Sequence, residues 1–269
     1  MTYLSGLISN SQAKSVEPIA LEFLGEESVR SLQRFLKNCK WNHQAMLMTH
    51  QKLLSEQISD PNGMITLDSS EFVKKGKESV GVARQYCGER GKIENCQSGV
   101  FVGYSSCKGY GLLNGQLYMP EKWFDEANKK RCQQNWVPED LCFQTKLEIA
   151  LDLIDQVKKS GLYQAKWIGC DATFGSDSSF LDKLPEDIYY FAHIRSASKV
   201  FTRKPKIGLP EYKGRGPRPT KMKLLSGQPK PRNVSEIANS HRLHWMPVIL
   251  AEGTKGPITA EVARVRIYL

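Results

Sequence analysis

Two short apolar runs, Met64-Ile-Thr-Leu and Trp167-Ile-Gly-Cys, each lead directly into an aspartate, Asp68 and Asp171. A fold that accepts this chain must find a use for both carboxylates. A lone carboxylate buried at a core strand loses hydration, which raises its pKa and costs several kcal/mol unless a cation compensates. Two readings fit the pattern. Aspartates often cap turns at strand ends. Alternatively, neighbouring strands bring the two together as hard oxygen ligands for Mg²⁺ or Mn²⁺. Two such ions about 3.5–4 Å apart can serve the attacking and leaving oxygens of a phosphodiester, which is nuclease or strand-transfer chemistry.

The periodicity around these runs defines an order of elements. Residues 1 to about 60 read as helical, with apolar-periodic segments from Val16 to Leu24 and from Val29 to Cys39 separated by Gly25. Leu32, Phe35 and Leu36 share one face, with Arg30, Arg34 and Lys37 nearer the other; a helix-turn-helix touching DNA and a plain helical hairpin both fit. A third helix from Asn42 to Ile58 stops at Asp60-Pro-Asn-Gly63. Strands follow at Met64 to Phe72, Ser79 to Cys87 and Asn95 to Tyr104, expected as an antiparallel meander, with an edge strand from Gly109 to Tyr118. A helix from Lys146 to Ser160 then leads through Gly161 into a strand from Lys166 to Cys170, which should join the same sheet. A short helix at Ser178 to Leu184, a strand at Ile188 to Ile194 and hairpin strands at His244 to Leu250 and Ala260 to Leu269 complete the reading.

Charge is concentrated in one place. Of a formal net +10, residues 195–232 carry twelve Lys and Arg against the single Glu211, a local +11. Such an excess points to a polyanion, and nucleic acid fits better than a membrane because no amphipathic apolar face accompanies it. No apolar run is long enough to span a bilayer, and the N-terminus lacks a basic-then-apolar leader pattern. The seven cysteines are scattered without a C-x-x-C pair, so they read as reduced, mostly buried thiols of a cytoplasmic protein. His241 and His244 lack companion ligands for zinc, and neither Gly76-Lys77 nor Gly91-Lys92 completes a phosphate loop. Lys74, Lys75 and Lys77 form a basic turn that is either a phosphate contact or a solvated loop.

The stretch from Leu67 to Gly88, continued by Gly91-Lys-Ile-Glu-Asn-Cys-Gln97, closely resembles the signature of bacterial insertion-sequence transposases of the DDE type. Leu32-Gln-Arg-Phe-Leu36 with Trp41, Leu117-Tyr-Met-Pro-Glu-Lys-Trp123, Phe143-Gln-Thr-Lys146 and Asp171-Ala-Thr-Phe-Gly175 extend the resemblance over nearly the whole chain. It implies an α/β, ribonuclease H-like mixed sheet with an N-terminal helical region and a β-rich basic insertion. It also implies an Asp-Asp-Glu triad whose first two members match Asp68 and Asp171, Mg²⁺ or Mn²⁺ as cofactor, and double-stranded DNA (element ends and target) as partner. A homodimer in a synaptic complex and a nucleoid-associated location go with that reading.

The expected organisation is a DNA-binding helical region over 1–62, a catalytic core over 63–195 and the basic insertion over 196–269. Arg30, Arg34, Lys74, Lys75, Lys77, Arg203, Lys204, Lys206, Lys213, Arg215, Arg218, Lys221 and Lys223 are the candidate DNA contacts. Glu252 and Glu261 are late carboxylates without the helical setting of the third triad member. Both ends read as cut, so the expectation is a core truncated before its catalytic Glu and inactive as it stands. A non-enzymatic DNA-binding remnant or inhibitor of transposition is the alternative; another ribonuclease H-like nuclease, such as a junction resolvase, fits the acid pair but not the long signature.

Overall fold

The computed structural model describes residues 2–9, 13–40, 42–212, 214, 218–240, 243–254 and 256–268. The chain forms two compact units, Met1–Gln51 and Lys52–Leu269. In the first, α1 (Thr2–Ile8), α2 (Val16–Phe23) and α3 (Val29–Asn38) close on Ile19, Ala20 and Leu32. Gly25, at φ 85°, makes the sharp exit from α2 that a β-carbon would resist. The expected apolar face of α3 is only partly used, since Leu32 is buried whereas Phe35 is exposed. Helix α4 (His43–Ile58) opens on Asn42, whose side chain accepts from the Ala45 N–H at 2.9 Å.

The second unit is built on a mixed sheet of β1 (Met64–Val73), β2 (Ala83–Cys87), β3 (Lys92–Ser106), β4 (Gly109–Tyr118), β5 (Trp167–Cys170) and β6 (Tyr189–Ala192). β3 is its spine. One edge of β3 runs antiparallel to β1 over the whole of β1, and its other edge takes β2 at one end and β4 at the other. β5 then joins β1 in parallel, and β6 joins β5 in parallel. Four strands in antiparallel pairs extended by two parallel ones make the ribonuclease H-like sheet that the resemblance implied. The sequential meander is corrected in one respect: β2 pairs with β3 and not with β1. Its strand also begins at Ala83 rather than Ser79, because a turn closed by the Val82 N–H on the Ser79 carbonyl, with Gly81 at φ 77°, occupies the preceding residues.

Helix α5 (Lys129–Gln134) precedes α6 (Lys146–Ser160), whose limits are written in local chemistry. Thr145 and Glu148 form a reciprocal capping box, and Gly161 ends the helix in the left-handed region at φ 64°. Ile149, Ala150, Leu153, Ile154 and Val157 form its buried stripe, packed with Ile65, Leu67, Val100, Val102 and Ile168 of the sheet. Burial of each large aliphatic side chain contributes about 1.5–3 kcal/mol, so this layer fixes β1 and β5 side by side. Short helices α7 (Ala172–Gly175) and α8 (Ser178–Leu181) lie between β5 and β6.

Beyond β6 the chain forms small antiparallel ladders, β7 (Lys199–Val200) with β10 (Arg232–Asn233) and β8 (Ile207–Gly208) with β9 (Lys223–Leu224). Helix α9 (Val234–Ala238) and the hairpin of β11 (Met246–Gly253) and β12 (Gly256–Val262) follow. The second hairpin strand starts at Gly256, earlier than expected, because the reversal takes only the residues between Gly253 and Gly256. All seven cysteines are free, but only Cys87, Cys96 and Cys170 are buried, fewer than the sequence suggested. No helix among the described residues is long and apolar enough to cross a membrane.

Candidate active site

Register brings the two aspartates to the same level. Leu67 of β1 stands opposite Cys170 of β5 in a parallel pair, and each is followed by its aspartate. Asp68, within β1, and Asp171, just past β5, therefore stand at one level on adjacent strands and line one cleft of about 930 Å³ with Glu71, Lys146 and Arg195. Asp68 is exposed to this cleft and Asp171 is half-buried. The buried position that the sequence suggested for Asp68 is thus corrected. Ile65 and Leu67 point into the core, so strand alternation turns residue 68 away from it.

Each carboxylate also has local work. Asp68 Oδ1 accepts the Ser69 N–H at 2.7 Å. Asp171 caps α7, its Oδ1 accepting from the Thr173 N–H at 3.0 Å and its Oδ2 from the Thr173 hydroxyl at 2.9 Å. A carboxylate oxygen has further lone pairs, so capping leaves acceptor capacity on both residues. Partial burial pushes the Asp68 carboxyl above its ordinary value; the Ser69 bond opposes this, while the negative charges of Asp171 and Glu71 reinforce it.

A divalent cation fits this pair on chemical grounds. Two acidic side chains repel each other across one cleft, and positive charge between them relieves both that repulsion and the desolvation of Asp68. Asp68 and Asp171 are the residues that would hold it. Among the described residues, no group of three or more His, Cys, Asp or Glu side chains is arranged to hold a metal. Glu252 on β11 and Glu261 on β12 are both exposed and outside the cleft lining.

A third acid of the cleft, Glu71, is engaged elsewhere, and the exposed Glu89 is a fourth. Oε1 of Glu71 meets Lys146 Nζ at 3.1 Å and accepts from the Ser98 hydroxyl at 3.0 Å; its Oε2 accepts the Gly88 N–H at 3.2 Å. Desolvation pushes this carboxyl up most strongly, yet the bonds from Lys146, Ser98 and Gly88 together hold it below the ordinary glutamate value. The sequence reading did not single out Glu71. The signal was available, since residues 65, 67, 69 and 71 share the inward phase of β1 and an acid in that phase requires a partner.

The candidate DNA contacts are spread over the chain. Arg30 and Arg34 are exposed on α3 in the first unit. In the second unit, Lys75 and Lys77 are exposed and Lys74 half-buried in the turn after β1, where the Asn95 side chain donates to the carbonyls of Lys74 and Gly76. Arg203, Lys204, Lys206, Arg218, Lys221 and Lys223 are exposed, with the Arg218 guanidinium 5.8 Å from the centre of the Tyr212 ring. Lys213 and Arg215 lie outside the described residues, as do Trp41 and His241. Of the basic stretch, Arg195 lines the aspartate cleft.

A family model described as DDE superfamily endonuclease matches residues 1–257. The chain is 26% identical over 193 residues to a curated protein of Microchaete diplosiphon, "Probable transposase for insertion sequence element IS701", a match covering 71% of this chain and 47% of that protein. The chain spans about half the length of the curated relative it matches. No solved structure matches it. With its sheet, its paired aspartates and a family match over almost its whole length, the chain belongs to the DDE superfamily of endonucleases.

Proposed function

We propose that this chain is the DNA-engaging and partial catalytic portion of an insertion-sequence transposase, which hydrolyses a phosphodiester at the element end and directs the freed 3′-OH at target DNA. The observation that carries this reading is the parallel pairing of Leu67 with Cys170, which delivers Asp68 and Asp171 into one cleft. When bound, Mg²⁺ or Mn²⁺ supplies charge stabilisation for the attacking and leaving oxygens. Asp68 and Asp171 would hold the cation, and Thr173 orients Asp171 by two hydrogen bonds. Arg195 offers a cation at the cleft for the phosphodiester backbone. The helical region over 1–62 and the basic segment over 196–269 contact DNA in addition to a catalytic core over 63–195, and two copies join the element ends in a synaptic complex at the nucleoid.

The test is cleavage of a labelled duplex carrying the element end by the protein that contains the whole triad. Asp68→Asn and Asp171→Asn each abolish cleavage and leave DNA retention nearly unchanged. Cleavage persisting in either variant removes that residue from the mechanism. A second reading, a chain that binds DNA and inhibits transposition without cutting, is favoured by the ion pair that engages Glu71, one of the four acids lining the cleft, with Lys146. Under it, residues 1–269 bind end-containing DNA, show no nicking in Mg²⁺ or Mn²⁺, and reduce cleavage when mixed with the complete protein.

A further inference from the structure

Trp136 combines two costly features. Among the described residues it is the sole non-glycine at positive φ, 57°, and its 92% exposure exceeds that of every other large hydrophobic. It occupies the left-handed position that ends α5. The Val137 N–H donates to the Cys132 carbonyl at 3.0 Å and the Trp136 N–H to the Gln133 carbonyl at 3.2 Å, the paired bonds of a Schellman turn. Glycine is the preferred residue at that position because a β-carbon is strained there. On either side the turn is pinned by Cys132 and Val137, which pack against the buried cluster of Val82, Met119 and Trp123. A large aromatic is therefore held outward on a fixed backbone, at a position where the fold is best served by no side chain at all.

The geometry points to Trp136 as a stacking contact for an unpaired nucleic-acid base, apart from the aspartate cleft whose lining does not include it. This inference rests on the DNA-binding reading above. The side chains leading to it along α5 are cations and amides: Lys129, Lys130, Gln133 and Gln134 are exposed, whereas Arg131 stacks over Trp123 at 3.8 Å. Lys129 is matched by Glu126 at 3.7 Å, Lys130 follows it on the same helix, and Glu139 and Asp140 come three and four residues after Trp136. Exposed amides at Gln133 and Gln134, within three residues of a bare indole, suit the edge of a base better than an apolar protein surface. An indole gives a stacking plane that every base can use, and a preset backbone removes the cost of ordering it.

The test uses Trp136→Gly and Trp136→Phe in the whole chain, with binding to a blunt duplex and to the same duplex carrying unpaired bases at one end. Trp136→Gly relieves the strained turn, so its melting temperature stays equal or rises by about 2–4 °C. Its affinity for the frayed DNA falls about 10-fold or more, in line with the loss of one stacked base, while blunt-duplex affinity changes less; Trp136→Phe retains most of the difference. Equal binding of frayed DNA by Trp136→Gly and the unsubstituted chain overturns the inference alone, as does a clear fall in melting temperature, which would make the side chain structural. An unsubstituted chain that binds neither DNA overturns the DNA-binding reading as well.

Discussion

Lys146, the first residue of α6, reaches the sheet to place its Nζ 3.1 Å from Oε1 of Glu71, three residues beyond Asp68 on β1. With Ser98 of β3 and the backbone of Gly88 on the same carboxylate, four segments meet at one acid beside the aspartate cleft. Because the folded protein holds Glu71 below its ordinary value, the stability that this group contributes is full above the unfolded glutamate pKa of about 4.3. It is lost as pH falls through the lower folded value. Hydrogen bonds to a charged group contribute about 1.5–3 kcal/mol, so Glu71→Gln should lower the melting temperature at pH 7 by about 4–8 °C. The gap between the two proteins should close as pH falls from the unfolded glutamate pKa of about 4.3 through the lower folded value. Thermal melts over that range check it; a gap independent of pH would show that the ion pair does not act through the ionised carboxylate.

The two cleft aspartates predict an ion-dependent stability with a particular sign. A cation that binds only the folded chain, present at about ten times its dissociation constant, adds roughly 1.4 kcal/mol, or about 3–6 °C in melting temperature. Mn²⁺ should therefore raise the melting temperature, and a chelator should return it to the starting value. Asp68→Asn should hold or raise stability without metal, since it removes a charge repelled by both Asp171 and Glu71, and should erase the Mn²⁺ shift. An undiminished shift in both Asp68→Asn and Asp171→Asn would place the ion elsewhere.

How much of this was legible beforehand depended on whether the deciding physics was local. The limits of α6 were readable because Thr145, Glu148 and Gly161 state them within a turn of each end. β1, β5 and the two aspartates were readable because each apolar run ends at its acid. The partner of β2 was not, since it depends on β3 being fifteen residues long and able to receive two strands on one edge. The solvent access of Asp68 followed from alternation with Ile65 and Leu67, and was overlooked because the apolar run was read as a block. The Glu71–Lys146 pair joins residues 75 apart, and no pattern along the chain names that partner. Trp136 was visible as a tryptophan in a polar segment, but its left-handed backbone is a property of the folded turn.

Gly175 carries a constraint on Asp171 that space alone imposes. A β-carbon at Gly175 would fall on the carbonyl oxygen of His193 and lie 2.8 Å from the β-carbon of Ala192. The helix capped by Asp171 thus packs directly against the chain at and just beyond the end of β6, and only glycine permits the approach. Gly175→Ala should cost about 1–3 kcal/mol as backbone is forced apart, seen as a fall of about 2–10 °C in melting temperature. Its displacement should also reduce the Mn²⁺ shift described above. A variant as stable as the unsubstituted chain would mean that α7 can move away without penalty.

The basic stretch makes a prediction whose size follows from counterion release. Arg203, Lys204, Lys206, Arg218, Lys221 and Lys223 are all exposed around ladders of only two residues per strand, so little apolar burial accounts for keeping them together. If about six cations in this stretch meet phosphate, affinity for duplex DNA should fall roughly 10³-fold between 50 and 200 mM salt. Replacing Arg203, Lys204 and Lys206 by alanine should reduce the slope of log affinity against log salt by about 2.7, with little change in melting temperature because none of the three is buried. Arg30→Ala with Arg34→Ala tests the helical region separately, and should reduce the slope by about 1.8 if α3 lies along the backbone. A slope that stays constant in the triple variant would mean that the local +11 is not the DNA contact, and a flat salt response in the unsubstituted chain would remove phosphate recognition altogether.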